Sequence, residues 1–436
     1  MNAKALLSAV ASALVLGLPL APFPAHAQAP VIQISGANFR PLPLALSAPL
    51  VQGQESKATV QPVDDALLFD LSASGLFQVL DRKSFLADAK EGLVAGSINF
   101  SRWADVGAES LVKYSLAREG NELKAEARVF NVGSGREEFK TAQSAPAAQP
   151  ALLAHKVADA IYRYYTREPS PFLSSITYVR KSGSNKDVWV ADWDGRNARQ
   201  MSRGGINVLP ALGADGVLGY TSYQQGKPDL YVQKGGELSR LKTGEGQMAT
   251  GIAFSPDGRQ VAYALADGES AQIWVASVSG DGARQLTDTR FGINTSPAWS
   301  PDGKRLAFVS NRGGSPQVYV MNVDGSGVRR LTFQGNYNQT PSWSPRGDLI
   351  AFTARDERNA FDLFTVQVDS GKISRLTQDQ GNNEEPSFSP NGRLVLFTST
   401  RNGPSQLFVM TAEGNNQLPL PAPQDKAPLT TPDWSR

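Results

Sequence analysis

The sequence predicts two parts: an α/β N-terminal domain, then an all-β six-bladed β-propeller with four antiparallel strands per blade, closed by the C-terminal strand. Three observations carry this. Helical and strand periodicities mix up to residue 168, and helical periodicity is lost beyond it. A strand ending in Ser-Pro-Asp-Gly recurs down the second half at a spacing in the propeller range. That half also opens on the second strand of the repeat and closes on its first, so its two ends complete one blade.

A chain of 436 residues, 41% hydrophobic and 19% charged, has room for two or three domains and an ordinary globular composition. The formal charge is +2 with no basic stripe, which argues against nucleic-acid binding. Lys4 precedes a mostly apolar run from Ala5 to Leu20, and Ala25-His26-Ala27 places small residues where a signal peptidase reads, so residues 1–27 are expected to be a signal peptide. The run is short, contains Gly17 and Pro19, and is followed by no second long apolar stretch, so no membrane span is expected. With no cysteine, stability must come from burial, and thiolate metal sites and thiol nucleophiles are excluded.

Residues 28–168 form the expected α/β domain. Val31-Ile32-Gln33-Ile34 alternates like a strand. After Pro62, the apolar residues Val63, Ala66, Leu67, Phe69 and Leu71 predict a helix over 63–71, ending before Gly75. A short strand is expected over 77–80, a helix over 103–107, and strands over 110–117, 123–131 and 138–142, with Asn131 to Gly135 turning between the last two. Residues 149–166 read as an amphipathic helix with Leu152, Leu153, Val157, Ile161 and Tyr164 on one side. Its histidine, His155, beside Ala154 and Lys156, reads as partly exposed structure rather than a catalytic base. Pro169 and Pro171 end the helix, making 169–175 a linker to the propeller at 176–436.

In the propeller the large apolar residue before each turn falls at 212, 254, 299, 343, 388 and 434. Around Trp299 the unit reads Pro297-Ala298-Trp299-Ser300-Pro301-Asp302-Gly303. Pro presets φ, Asp bonds nearby amides and Gly tolerates positive φ, the chemistry of a type I turn. Six second strands follow the pattern of Leu306-Ala307-Phe308-Val309, six third strands that of Gln317-Val318-Tyr319-Val320, and a weaker fourth element such as Arg329 to Thr332 completes each unit. Four strands in six units make the propeller. The first unit lacks its first strand while Pro432 to Ser435 stands alone, so the C-terminal strand is expected to become the innermost strand of blade 1.

All the turns then lie on one face, and the segments leading into each innermost strand surround the channel mouth on the other. That mouth face reads as polar, neutral and poor in titratable groups, which suits recognition rather than catalysis. No Gly-x-Ser-x-Gly elbow and no phosphate-binding Gly-x-x-x-x-Gly-Lys loop occurs. Asp257 and Asp302 read as turn residues. Glu384 and Glu385 offer oxygen ligands to a channel cation such as calcium, but read first as solvated loop acids, so no cofactor is expected.

The signal peptide, the α/β domain, the Pro-x-[Trp/Phe]-Ser-Pro-Asp-Gly units and the closing Pro432-Asp433-Trp434-Ser435 together resemble the TolB family, periplasmic propeller proteins of the Tol-Pal system. The order of domains, with no space for a hydrolase domain, separates this from peptidase propellers that share the repeat. The resemblance implies a monomeric, non-enzymatic periplasmic scaffold supporting outer-membrane integrity and constriction in cell division. Its implied partners are the peptidoglycan-associated lipoprotein Pal and TolA, with peptidoglycan and the outer membrane reached indirectly. By position, Pal would meet Asn294, Thr295, Ser296, Asn338, Gln339, Thr340, Glu384 and Arg312. TolA would meet the mature N-terminus, at Val31, Ile32, Gln33, Ile34, Ser35 and Gly36. Where the family's second-blade lead-in can carry a polar or basic residue, this chain has Met248-Ala249-Thr250-Gly251. A peptidase-type accessory propeller and a periplasmic lectin-like module are the alternatives.

Overall fold

The computed structural model describes residues 39–53, 57–86, 88, 90–243, 247–290, 292–421 and 426–435. The expected signal peptide and the segment Val31 to Gly36 lie outside the described residues. The first half contains β1 (Leu42–Leu46), β2 (Leu50–Gln52), α1 (Lys57–Ala73), β3 (Phe77–Val79), α2 (Phe100–Asp105), β4 (Ser110–Glu119), β5 (Glu122–Asn131), β6 (Arg136–Pro146) and α3 (Pro150–Thr166). One sheet runs β3-β1-β4-β5-β6, with β2 also paired to β4. β1 lies inside it, parallel to both neighbours. No sequence pattern marks this strand, because Pro41 and Pro43 interrupt it; Pro43 joins the sheet through its carbonyl, which accepts from Glu109 N at 3.0 Å.

α1 starts at Lys57, ahead of Pro62 rather than after it. The helix tolerates this proline at the loss of one backbone bond. α2 likewise begins at Phe100, three residues before the expected Trp103. α3 has Pro150 in its first turn and stops at Arg167, whose φ of 61° is left-handed. Leu153, Val157, Ile161 and Tyr165 are buried on its inner side. They pack with Leu67 and Leu71 of α1 and with β4 and β5 in one core, each buried side chain worth roughly 1.5–3 kcal/mol.

The second half folds into six four-stranded antiparallel sheets. The innermost strands of blades 2 to 6 are Asn207–Leu212, Met248–Phe254, Asn294–Trp299, Asn338–Trp343 and Asn383–Phe388. The innermost strand of blade 1 is Leu429–Trp434, which pairs Leu429 with Arg180 and Trp434 with Ile176. The expected ring closure is thus present. The turns behave as their residues dictate: Gly303 N reaches Ser300 O at 2.9 Å, Gly303 has φ 67°, and Asp302 Oδ1 accepts from Ser300 Oγ and Lys304 N. Trp299 is buried between blades, with Nε1 on Ala253 O at 3.1 Å.

Blade contacts around the innermost ring differ in kind. Ser342 Oγ accepts from Phe388 N, Ser387 Oγ from Trp434 N, and Asp433 Oδ2 from Leu212 N at 2.9 Å. Asp433 Oδ1 also accepts from Ser387 Oγ at 3.0 Å, so one side chain of the closing strand spans blades 6, 1 and 2. The equivalent positions in blades 2 to 4 are Ala211, Ala253 and Ala298, which can make no such bond. Polar ties therefore cluster where the ring is joined.

The N-terminal domain sits on the turn face, over blades 5, 6 and 1, so this face is occupied rather than idle. Glu168 pairs with Arg346 at 2.6 Å and with Arg393 at 3.1 Å. Asn391 Nδ2 donates to Pro169 O, and Asn416 Nδ2 to Ser72 O. Gly75, left-handed at φ 70° just beyond α1, lies so close to Thr411 that a Cβ there would collide with its methyl. Trp193 of blade 1 stacks on Trp434 at 6.0 Å and tilts against Phe69 and Phe172.

Replacing Asp433 by Ala strands the Leu212 amide and should cost about 1–3 kcal/mol, seen as a lower denaturant midpoint. Asp433→Asn, which keeps one acceptor, should cost less. Equal midpoints for all three proteins would remove this residue from the closure.

Candidate functional site

The channel mouth is built by a repeated backbone feature that the sequence does not display. Each innermost strand carries a β-bulge. Within it one residue is left-handed: Leu209 (φ 52°), Gly251 (66°), Ser296 (53°), Thr340 (49°), Glu385 (60°) and Thr431 (46°). Five are not glycine and two are β-branched, so each is held in a conformation that costs on the order of 1–2 kcal/mol. All six line a cavity of about 190 Å³ at the centre of the ring. Five precede proline, whose ring fixes φ of the residue that follows the left-handed one.

Around this ring the mouth face is more apolar than the sequence suggested. Ile206, Leu209 and Tyr223 on blade 2, Met248 on blade 3 and Ile293 on blade 4 are exposed on this face, and Phe333, 71% exposed, lies on the loop leading into blade 5. Exposed apolar surface gathered on one rim marks an interaction site more often than scattered single residues do. The signal was in the lead-in segments, where isolated apolar residues looked unremarkable until the ring set them on one face.

The residues that sequence reasoning placed here divide. Asn294 and Asn338 are 0% and 1% exposed. Asn294 Nδ2 donates to Ala271 O, Gln272 Oε1 and Thr289 Oγ1, and Asn338 Nδ2 to Gln317 Oε1 and Gln334 O. They clasp the preceding blade, as Asn383 does on Asp362, and their side chains are closed to a partner. Arg312 is similarly committed: Nη2 donates to Asn294 Oδ1, Nε to Ser310 Oγ, and the guanidinium lies over Phe308 and Tyr319. Arg401 repeats the arrangement in blade 6. Thr295, Ser296, Gln339, Thr340 and Glu384 are partly exposed around the mouth.

Glu385 is the titratable group of the channel. Its Oε2 accepts from Thr431 N at 2.6 Å and from Thr398 Oγ1 at 3.4 Å. Burial pushes its carboxyl up to about 7, against the Thr431 bond that lowers it, and burial also raises Glu384. A carboxyl so placed is a poor reading as a solvated loop acid. Among the described residues, the grouping of three or more potential metal ligands is Asp70, His155 and Asp194, at the domain boundary and not in the channel. His155 is 2% exposed, contrary to the partly exposed reading. Burial alone would lower its pKa, but Asp70, Asp194 and Asp192 raise it to about 9. Asp257 and Asp302 hold turn bonds that keep their carboxyls below the usual range, which fits the turn reading and not acid–base chemistry.

The folded Glu385 pKa lies above the unfolded value of about 4.3, so stability falls as pH rises between the two and is lower above about 7. Glu385→Gln keeps the acceptor for Thr431 and should raise the melting temperature by a few degrees at pH 8. The gain should vanish near pH 4. A constant difference across that range would contradict the buried ionisation.

The chain matches two family models, the TolB amino-terminal domain over residues 30–138 and the TolB β-propeller domain over residues 162–436. It is 68% identical over 419 residues to the Tol-Pal system protein TolB of Myxococcus xanthus, covering 96% of this chain and 97% of that protein. It is 46% identical over 422 residues to the Tol-Pal system protein TolB of Anaeromyxobacter dehalogenans, covering 96% of each. The crystal structure of TolB from Acinetobacter baumannii shares the fold, with a TM-score of 0.78 over 94% of this chain and 98% of that one, at 24% identity. No helix among the described residues is long and apolar enough to cross a membrane. The two-domain architecture, the six closed blades and these relatives agree: the chain belongs to the TolB family of the Tol-Pal system.

Proposed function

We propose that this chain is a non-enzymatic scaffold of the periplasm that binds the lipoprotein Pal on its mouth face and TolA through its mature N-terminal segment. Through these contacts it supports outer-membrane integrity and constriction in cell division. The observation that carries the reading is the contrast between the two propeller faces. The turn face is covered over blades 5, 6 and 1 by the N-terminal domain, whereas the mouth face leaves exposed apolar residues around a ring of strained backbone. Backbone strain gathered at one place is a mark of function rather than of packing.

The contact is centred on the crescent of Ile206, Leu209, Tyr223, Met248 and Ile293, with Thr295, Ser296, Gln339, Thr340 and Glu384 as its polar border. Apolar anchors ringed by polar groups are what a tight protein interface requires. Asn294, Asn338 and Arg312 act one step behind, by holding the lead-in segments in place. Met248, where the family can carry a polar or basic residue, makes the second-blade contact apolar here. The N-terminal segment, Val31 to Gly36 within residues 28–40, has the alternation of an added strand, and TolA would pair with it edge to edge.

Met248→Asp combined with Ile293→Asp should weaken Pal binding at least about tenfold by calorimetry and leave the melting temperature unchanged. Deleting residues 28–39 should abolish TolA binding and leave Pal binding intact. Unimpaired Pal binding by the double aspartate variant would remove the crescent from the interface. Equal loss of both partners on the deletion would contradict separate sites.

A further inference from the structure

His155 lies where the two halves of the molecule meet, 2% exposed, and its Nε2 makes no hydrogen bond. Its Nδ1 is 2.7 Å from Asp70 Oδ2 on α1. Asp70 is itself 0% exposed and also accepts from Trp193 Nε1 at 3.1 Å. This carboxylate fixes the ring: the proton belongs on Nδ1, and Nε2 faces the opposite way. There it meets the tip of blade 1, with Asp194 Oδ2 at 3.8 Å and Asp192 Oδ2 at 4.0 Å, both beyond hydrogen-bond reach.

A buried histidine that donates Nδ1–H to a carboxylate and aims Nε2 at further acids has the orientation of a metal-binding histidine, with an ion taking the place of the Nε2 proton. Nitrogen and oxygen ligands of a zinc-class ion lie about 2.0–2.2 Å from it, so neighbouring ligand atoms are roughly 3–4 Å apart. Asp194 Oδ2 and Asp192 Oδ2 each lie at that spacing from Nε2. The charges also suit an ion. Asp70, Asp192 and Asp194 face the His155 ring and one guanidinium, that of Arg196, so a divalent cation that displaces the Nε2 proton and the guanidinium leaves the net charge of the cluster unchanged.

We propose that His155 Nε2, Asp194 and Asp192 bind one divalent cation of the zinc class, which staples α3 of the N-terminal domain to blade 1. Asp70 acts as the positioning residue behind His155. Two present contacts must yield: Arg196 Nη1 on Asp194 Oδ2, and Asn197 Nδ2 on Asp192 Oδ2. The Arg196 and Asp192 side chains are 21% and 33% exposed, so both can turn outward and open a path for the ion. The bond from Arg196 N to Asp194 Oδ1, at 3.0 Å, holds the Asp194 carboxylate in place meanwhile.

His155 is the one histidine beyond residue 27, and the chain has no cysteine, so a single probe reads the site. The mature chain, free of any histidine tag, stripped with a chelator and labelled with ¹⁵N-histidine, would be titrated with zinc sulfate near pH 8, where zinc must displace the Nε2 proton of His155. The expected result is saturation at one equivalent, with the Nε2 resonance moving to a metal-bound position while Nδ1 keeps its proton, and a higher melting temperature. Asp192→Asn should weaken binding at least about tenfold and leave the unliganded melting temperature unchanged. A His155 resonance that stays protonated at Nε2 under a large zinc excess would make the cluster an ion-pair network and overturn the proposal. Undiminished binding by Asp192→Asn would overturn it too.

Discussion

The pairing of Leu429–Trp434 with the strand beginning at Ser175 is the interaction on which the rest depends. A ring of sheets has two chain ends to reconcile, and an open ring would expose an unpaired edge. Here the closing strand supplies more than backbone bonds. Asp433 ties blades 6 and 2 across blade 1, and Trp434 enters the core shared with the N-terminal domain. Trp434 Nε1 donates to Ser174 Oγ of the linker at 2.6 Å, so ring closure and domain docking share one residue.

From that closure follows the division of labour between the faces. The turn face receives the N-terminal domain through Glu168, Asn391, Asn416 and the Trp193 stack. The mouth face carries no contact with the N-terminal domain among these. There the left-handed residues are held by the bulges and by the buried clasps of Asn294, Asn338 and Asn383, which put each lead-in segment against the preceding blade. The blade scaffold thus stabilises the strain that shapes the mouth.

The domain boundary combines two kinds of contact. The half-buried Glu168 pairs are partly screened by solvent, which limits what they contribute. The Asp70–His155 contact is buried, and its carboxylates can neither ionise freely nor find water. Burial pushes Asp70 up to about 6, against the pull of His155. Such a cluster couples the orientation of α1 and α3 to blade 1, and thereby to the closing strand that Trp193 stacks upon.

What the sequence by itself determined was whatever is written locally and repeated. Ser300-Pro301-Asp302-Gly303 encodes its own turn, the spacing of Trp299 and Trp343 counts the blades, and the unmatched Pro432 to Ser435 tells how they close. The Leu153, Val157, Ile161 stripe announces α3 in the same way. Tertiary structure alone decided the rest, because the deciding partners lie far apart in the chain. β1 is a strand in spite of Pro43 since β3 and β4 flank it. Asn294 is buried and clasps the neighbouring blade because Gln272 and Thr289 reach it from there. The apolar rim exists because the ring puts the lead-in residues Ile206, Met248 and Ile293 of three successive blades on one face. His155 looked like surface on its own helix; Asp70 and Asp194 bury it from two other elements, a proximity that no local pattern of residues can record.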